Sequence, residues 1–136
     1  MKGADDLTRR LKQLANIRKE VVAELEDTAT DIEIGAIRMA PVSIGQKISK
    51  TPLDEGLTYR IDVNAGPIGA YTEFGTGASA AELVPTLPKE WQDIAKQFFI
   101  NGKGKLIANP YLYPNFFRYT VGLKDRINKI VLDLSQ

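Results

Sequence analysis

The sequence predicts an α+β fold, a small antiparallel sheet of three to four strands packed by a long N-terminal helix and a C-terminal helix. Three observations point to it. Apolar residues recur every three or four positions over residues 5–40, they alternate with polar ones over residues 57–63, and helical spacing returns after Pro114. These two periods belong to a helix with one buried face and a strand with one buried face.

The first helix is expected over residues 5–40. Leu7, Leu11, Leu14, Arg18, Val21, Leu25, Thr28, Ile32, Gly35 and Met39 keep a 4-3-4-3 spacing, and seven of the ten are apolar. That is the seam of an amphipathic helix. Asp5 or Asp6 can cap its start, and Pro41 drives Ala40 out of helical geometry, which ends it. At 1.5 Å per residue the rod is roughly 50 Å long, more than one small core covers. A coiled coil is the alternative, and Arg18, Thr28 and Gly35 on the seam argue against it. Its charges run from Arg9, Arg10, Lys12, Arg18 and Lys19 to Glu20, Glu24, Glu26, Asp27, Asp31 and Glu33. This order opposes the helix dipole. It is either a solvated face or a pair of opposite patches that meet on neighbouring subunits.

A sheet is expected over residues 46–75. Lys47–Lys50 reads as one strand and Leu57–Val63 as its hairpin partner, with Pro52 and Asp54-Glu55-Gly56 turning the chain between them. Asn64–Gly69 is a second break, and Tyr71-Thr72-Glu73-Phe74 reads as a third strand. Gly75–Ala81 is a small-residue loop. An inserted helix follows over residues 86–101, opened by Thr86 and Pro88, with Leu87, Trp91, Ile94 or Ala95, and Phe98 as its stripe. Asn101-Gly102 stops it through left-handed geometry. Leu106-Ile107-Ala108 can add a short strand. The last helix is expected over residues 114–134, buried through Phe116, Leu123, Ile127, Ile130 and Leu134.

A chain of 136 residues fits one domain, residues 1–136, able to bury a modest core. It has no cysteine and no histidine. That removes disulfides, thiolate chemistry, the commonest general base and the commonest metal ligand. No cofactor or metal is expected, and no catalytic residue. Apolar runs fall short of membrane-spanning length, and the charged residues after Met1 do not resemble a signal peptide, so cytoplasmic synthesis is expected. Net charge is +1, unevenly spread: residues 89–136 carry 8 basic and 4 acidic groups. The field as a whole does not draw nucleic acid.

Several short patterns invite chemistry and have plainer explanations. Gly75-x-Gly77 and Gly102-x-Gly104-Lys105 match neither the Walker nor the dinucleotide fingerprint, and a turn and a helix stop account for them. Asp54, Glu55, Asp62, Glu73 and Glu82 lie near the expected sheet, yet nothing in their spacing places two of them across a cleft as acid–base catalysis requires. Lys103, Lys105, Arg118, Lys124, Arg126 and Lys129 accompany Tyr111, Tyr113 and Tyr119, a mixture that can bind nucleic acid. Asp125 and Asp133 interrupt that charge. Neighbours on a helix point about 100° apart, so one of Phe98-Phe99 and one of Phe116-Phe117 is left for a contact between subunits.

Four motifs in order carry a resemblance. They are Ala40-Pro41-Val42-Ser43-Ile44-Gly45, Ala70-Tyr71-Thr72-Glu73-Phe74-Gly75-Thr76-Gly77, Asn101-Gly102-Lys103-Gly104 and Asn109-Pro110-Tyr111-Leu112-Tyr113-Pro114. In that order the chain resembles the small phage tail-component family of lambdoid siphophages, the tail-completion and head–tail joining neck proteins. Ser43-Ile44 replaces the family's usual Asp-Thr, Tyr111 its Phe and Asn115 its Ala. The resemblance implies a structural virion protein, located in the tail or neck, that forms a ring with copies of itself around the DNA path. Head-connector and tail proteins would be its neighbours, with DNA passing nearby without specific binding and no membrane involved. Contact residues on this reading are Tyr71, Glu73, Phe74, Tyr111 and Tyr113, with Phe99 and Phe117 as apolar additions. The alternative is a nucleic-acid-binding regulator using the basic C-terminal third. A carboxylate hydrolase is a further rival.

Overall fold

The fold is that of a computed structural model, which describes residues 2–97 and 104–136. Helix α1 spans Lys2–Met39. It stops one residue before the Ala40-Pro41 junction, and a single turn, α2 (Val42–Gly45), reverses the chain. Strands β1 (Ile48–Leu53) and β2 (Thr58–Val63) pair antiparallel, with Ile48 opposite Val63 and Leu53 opposite Thr58. The turn between them puts Asp54, Glu55 and Gly56 at positive φ. Gly56 packs so closely on Val22 of α1 that a side chain there would strike it. That seats the hairpin on the long helix.

Among the described residues the sheet has two strands, not the expected three or four. Tyr71–Phe74 is the last turn of a helix, α3 (Pro67–Phe74). Pro67 supplies a preset φ in its first turn, and Gly75 at φ 74° stops it. Four residues of strand-like composition do not outweigh a start and a stop signal eight residues apart. The small-residue stretch after Gly77 is also helical, α4 (Ala78–Leu83), leading through a 3-10 turn into α5 (Lys89–Gln97). The expected end of that helix at Asn101-Gly102, with Phe98 and Phe99, lies outside the described residues. No strand forms at Leu106–Ala108 among the described residues.

The C-terminal helix is two helices, α6 (Tyr113–Thr120) and α7 (Leu123–Leu134). Val121 is extended and Gly122 left-handed at φ 81°, which breaks the rod. The break lays α7 along α1, held where Arg126 meets Glu24 at 2.5 Å and where Gln13 Nε2 donates to the Leu134 carbonyl at 2.7 Å. Two small cores result. One gathers Ala36, Ile44, Ile48 and Tyr111 between α1, the hairpin and the segment before α6. The other gathers Phe74, Leu87 and Ala95 under Trp91 and Tyr113.

Candidate functional site

The motifs converge on one joint, and Glu73 is its centre. The last turn of α3 points this side chain inward, 3% exposed. Its Oε2 accepts from the backbone N–H groups of Tyr111 and Leu112, and its Oε1 from that of Tyr113, each at 2.8 Å. Tyr113 opens α6. A helix start leaves amide donors without partners, and a carboxylate from elsewhere in the chain answers three of them here. Burial raises the Glu73 carboxyl above its ordinary pKa, and the three amide bonds pull it back only in part.

Tyr111 lies beside it, 1% exposed, and its hydroxyl donates to the Gly69 carbonyl at 2.9 Å. Burial, and after it the Glu73 charge, push this phenol above its usual pKa. Phe74 fills the second core at 1% exposure. Pro110 and Pro114 flank this segment, fixing φ at both ends.

The other motifs reach the same joint. Ala40 packs on the core that holds Tyr111, as does Ile44 within it. Gly104 at φ 101° is pressed on Thr76. Thr76 Oγ1 accepts from Leu106 N and Thr76 N donates to the Leu106 carbonyl, both at 2.9 Å. Asn109 N donates to the Thr72 carbonyl at 2.8 Å, and Ala108 N to Ser79 Oγ at 2.8 Å. The rest of the Asn101–Gly104 motif lies outside the described residues.

The expected contact residues fall in two groups by burial. Glu73, Phe74 and Tyr111 are interior, so they have no surface to offer a second chain as the fold stands. Tyr71 and Tyr113 are half-buried. Tyr113 stands edge-on to Trp91, centroids 5.0 Å apart, and Phe117 follows at 6.1 Å. Phe117 is 57% exposed and Phe116 is exposed beside it. Phe99 lies outside the described residues. The residue that sequence reasoning missed is Asn115, buried at the first turn of α6, whose Nδ2 donates to the Tyr111 carbonyl at 2.7 Å. Its replacement of an expected Ala was the signal available.

An apolar cleft of about 190 Å³ opens beside the joint, lined by Ile61, Val63, Ala70, Trp91 and Leu112 together with Glu73. A second hollow of about 230 Å³ lies across Phe74, between Leu83, Leu87 and Pro114. The carboxylate between them already accepts three hydrogen bonds, so the site offers shape and apolar surface. Among the described residues no group of three acidic side chains is placed to hold a metal ion. No helix among them is long and apolar enough to cross a membrane. No family model, curated protein or solved structure matches this chain.

Proposed function

We propose that this chain is a structural subunit of a phage particle, a tail-completion or head–tail joining protein that forms a ring around the DNA path. The observation that carries the reading is the joint at Glu73. Residues 70–77 and 109–114, separate motifs in the sequence, are one object in space, tied by three amide-to-carboxylate bonds. Motifs that hold the molecule in shape are what a part working by fit requires. Residues that served a reaction would instead present a free acid, base or nucleophile.

The proposed role needs a rigid wedge with unlike surfaces. Charge-assisted bonds to a buried carboxylate and two prolines supply rigidity and limit the entropy lost on docking. Exposed Phe116 and Phe117 supply an apolar face on one side, and the acidic run of α1 lies on another element. Unlike faces make head-to-tail contacts, which close into a ring. The nucleic-acid reading is less favoured because Arg126, central to the basic third, is engaged by Glu24 and by the Tyr119 carbonyl.

The gene's neighbours test the assignment directly. Portal, capsid and tail-tube genes alongside it support the reading. Particles made with a tagged copy should then carry the tag at the head–tail junction, seen by electron microscopy. Tag-free particles that assemble normally without the gene would overturn it.

A further inference from the structure

A thioether closes the contact between α1 and α6. Met39 is the last residue of α1 and stands one turn beyond Gly35, on the same face of the helix. The buried Asn115 side chain, 4% exposed, enters over Gly35. Its Nδ2 donates twice, to the Tyr111 carbonyl at 2.7 Å and to Met39 Sδ at 3.1 Å. Both neighbours of that nitrogen are acceptors, so turning the amide over would set its oxygen against them. Met39 itself is 46% exposed. A buried donor therefore leans on a side chain that solvent reaches.

This sulfur has no rival inside the chain, which lacks cysteine and whose other methionine is Met1. A thioether is a weak acceptor, and an accessible one is oxidised to a sulfoxide. A peroxide supplies the oxygen. A sulfur lone pair attacks one peroxide oxygen, and the S–O bond forms as the O–O bond breaks. The sulfur-bound oxygen passes its proton to the departing hydroxide, which leaves as water. Sulfur gives up two electrons and the peroxide takes them. The lone pair facing Asn115 is covered by its amide, so oxygen adds to the other one. The sulfur then carries the positive end of the S–O dipole, and that end faces an N–H donor.

We infer that Met39 is a redox modification site, oxidised reversibly to its sulfoxide by peroxide, and that Asn115 transmits the change by losing an acceptor, which loosens α6 from α1. Tyr111 takes the other bond of that amide and gives its own N–H to Glu73, so the joint feels the loss. Neither step draws on the neck reading.

Dilute hydrogen peroxide on the folded full chain tests it, with peptide masses locating the added oxygen. Met39 should gain it nearly as fast as in the urea-unfolded chain. The oxidised protein should unfold with an equilibrium constant roughly tenfold higher, the effect of a buried donor left without its acceptor. A methionine sulfoxide reductase should restore the original value. Met39→Leu keeps the bulk without the sulfur, so peroxide should leave its stability unchanged. Asn115→Ala should still oxidise at Met39 and lose little further stability. Should that variant not fold, the Asn115 side-chain amide signals in the wild-type NMR spectrum decide, since they should move on oxidation and return on reduction. Protection of Met39 in the folded chain overturns the inference, as does an oxidised protein no less stable than the reduced one. Equal losses with and without Asn115, or Asn115 amide signals that oxidation leaves in place, overturn it too.

Discussion

Gly35 and Asn115 meet with no room between them. A carbon added at Gly35 would overlap Asn115 Oδ1 and lie 2.7 Å from its Cγ. The glycine, an interruption in an otherwise apolar seam, is where α1 lets the first turn of α6 approach. Asn115 closes that contact with its amide bonded to the Tyr111 carbonyl at 2.7 Å and reaching Met39 Sδ at 3.1 Å. A buried amide is tolerable because it is satisfied.

Replacing Gly35 with Ala should therefore destabilise the protein. Helix propensity favours alanine by about 1 kcal/mol, and overpacking a closed contact costs about 1–3 kcal/mol. The overlap is with a side chain held by its own hydrogen bond, so the steric cost should win. Gly3→Ala, with nothing nearby to strike, should leave stability unchanged or slightly raised. Denaturant midpoints of the two variants give the answer, and a Gly35→Ala protein as stable as the wild type would refute the close contact.

Glu73→Ala should cost more. It strands three amide donors at the start of α6, and each buried donor left without a partner costs about 1–3 kcal/mol. Water entering the adjacent cleft can recover part of that, so a loss of roughly 3 kcal/mol or more is expected. Glu73→Gln should fall between, because its amide nitrogen turns a donor toward one of the three N–H groups. A thermal midpoint for Glu73→Ala within a degree or so of wild type would show that the carboxylate does not hold the joint.

How much of this was legible depends on where the punctuation lay. Pro41 announces the end of α1, and the alternation of Leu57–Val63 announces β2, because each rests on a local rule that tertiary packing does not override here. Tyr71–Phe74 misled because Tyr, Thr and Phe favour strands. Its environment is set instead by Pro67 and Gly75, which make a two-turn helix. Gly122 was the visible cause of the break between α6 and α7, hidden within a run of convincing helical spacing. The Glu73 motif stood out in the sequence, but its three acceptor bonds involve residues nearly forty positions away. No local pattern encodes that pairing. Gly35 looked like a defect in the seam until Asn115 supplied its reason.

Tyr111 should make stability fall on the alkaline side. Its folded pKa is raised above the ordinary phenol value of about 10. A raised folded value means its contribution is fully present below that ordinary value and is lost as pH rises beyond it, because only the unfolded chain ionises. Tyr111→Phe forfeits the bond to Gly69 but has no such proton. Wild type should be more stable than Tyr111→Phe near neutrality, and the gap should close as pH climbs past about 10. Thermal midpoints of both proteins across that range check it, and a constant gap would mean that Tyr111 ionises in the folded protein as freely as in the unfolded chain.

The acidic run of α1 should matter to assembly and little to folding. Glu24 is not a fair probe, since it anchors Arg126 of α7 within the chain. Glu20, Asp27 and Asp31 are exposed and lie within one stripe of the helix, at i, i+7 and i+11. Exposed charges of this kind contribute little to stability, commonly under about 1 kcal/mol each. Changing all three to Lys should thus leave the thermal midpoint nearly unchanged. On the proposed ring, that stripe faces the bases of a neighbouring copy, so the variant should assemble poorly while wild-type assembly weakens with salt. Normal incorporation of the folded triple variant into particles would remove charge pairing from the account. It would leave the apolar face at Phe116 and Phe117 as the contact that joins one subunit to the next.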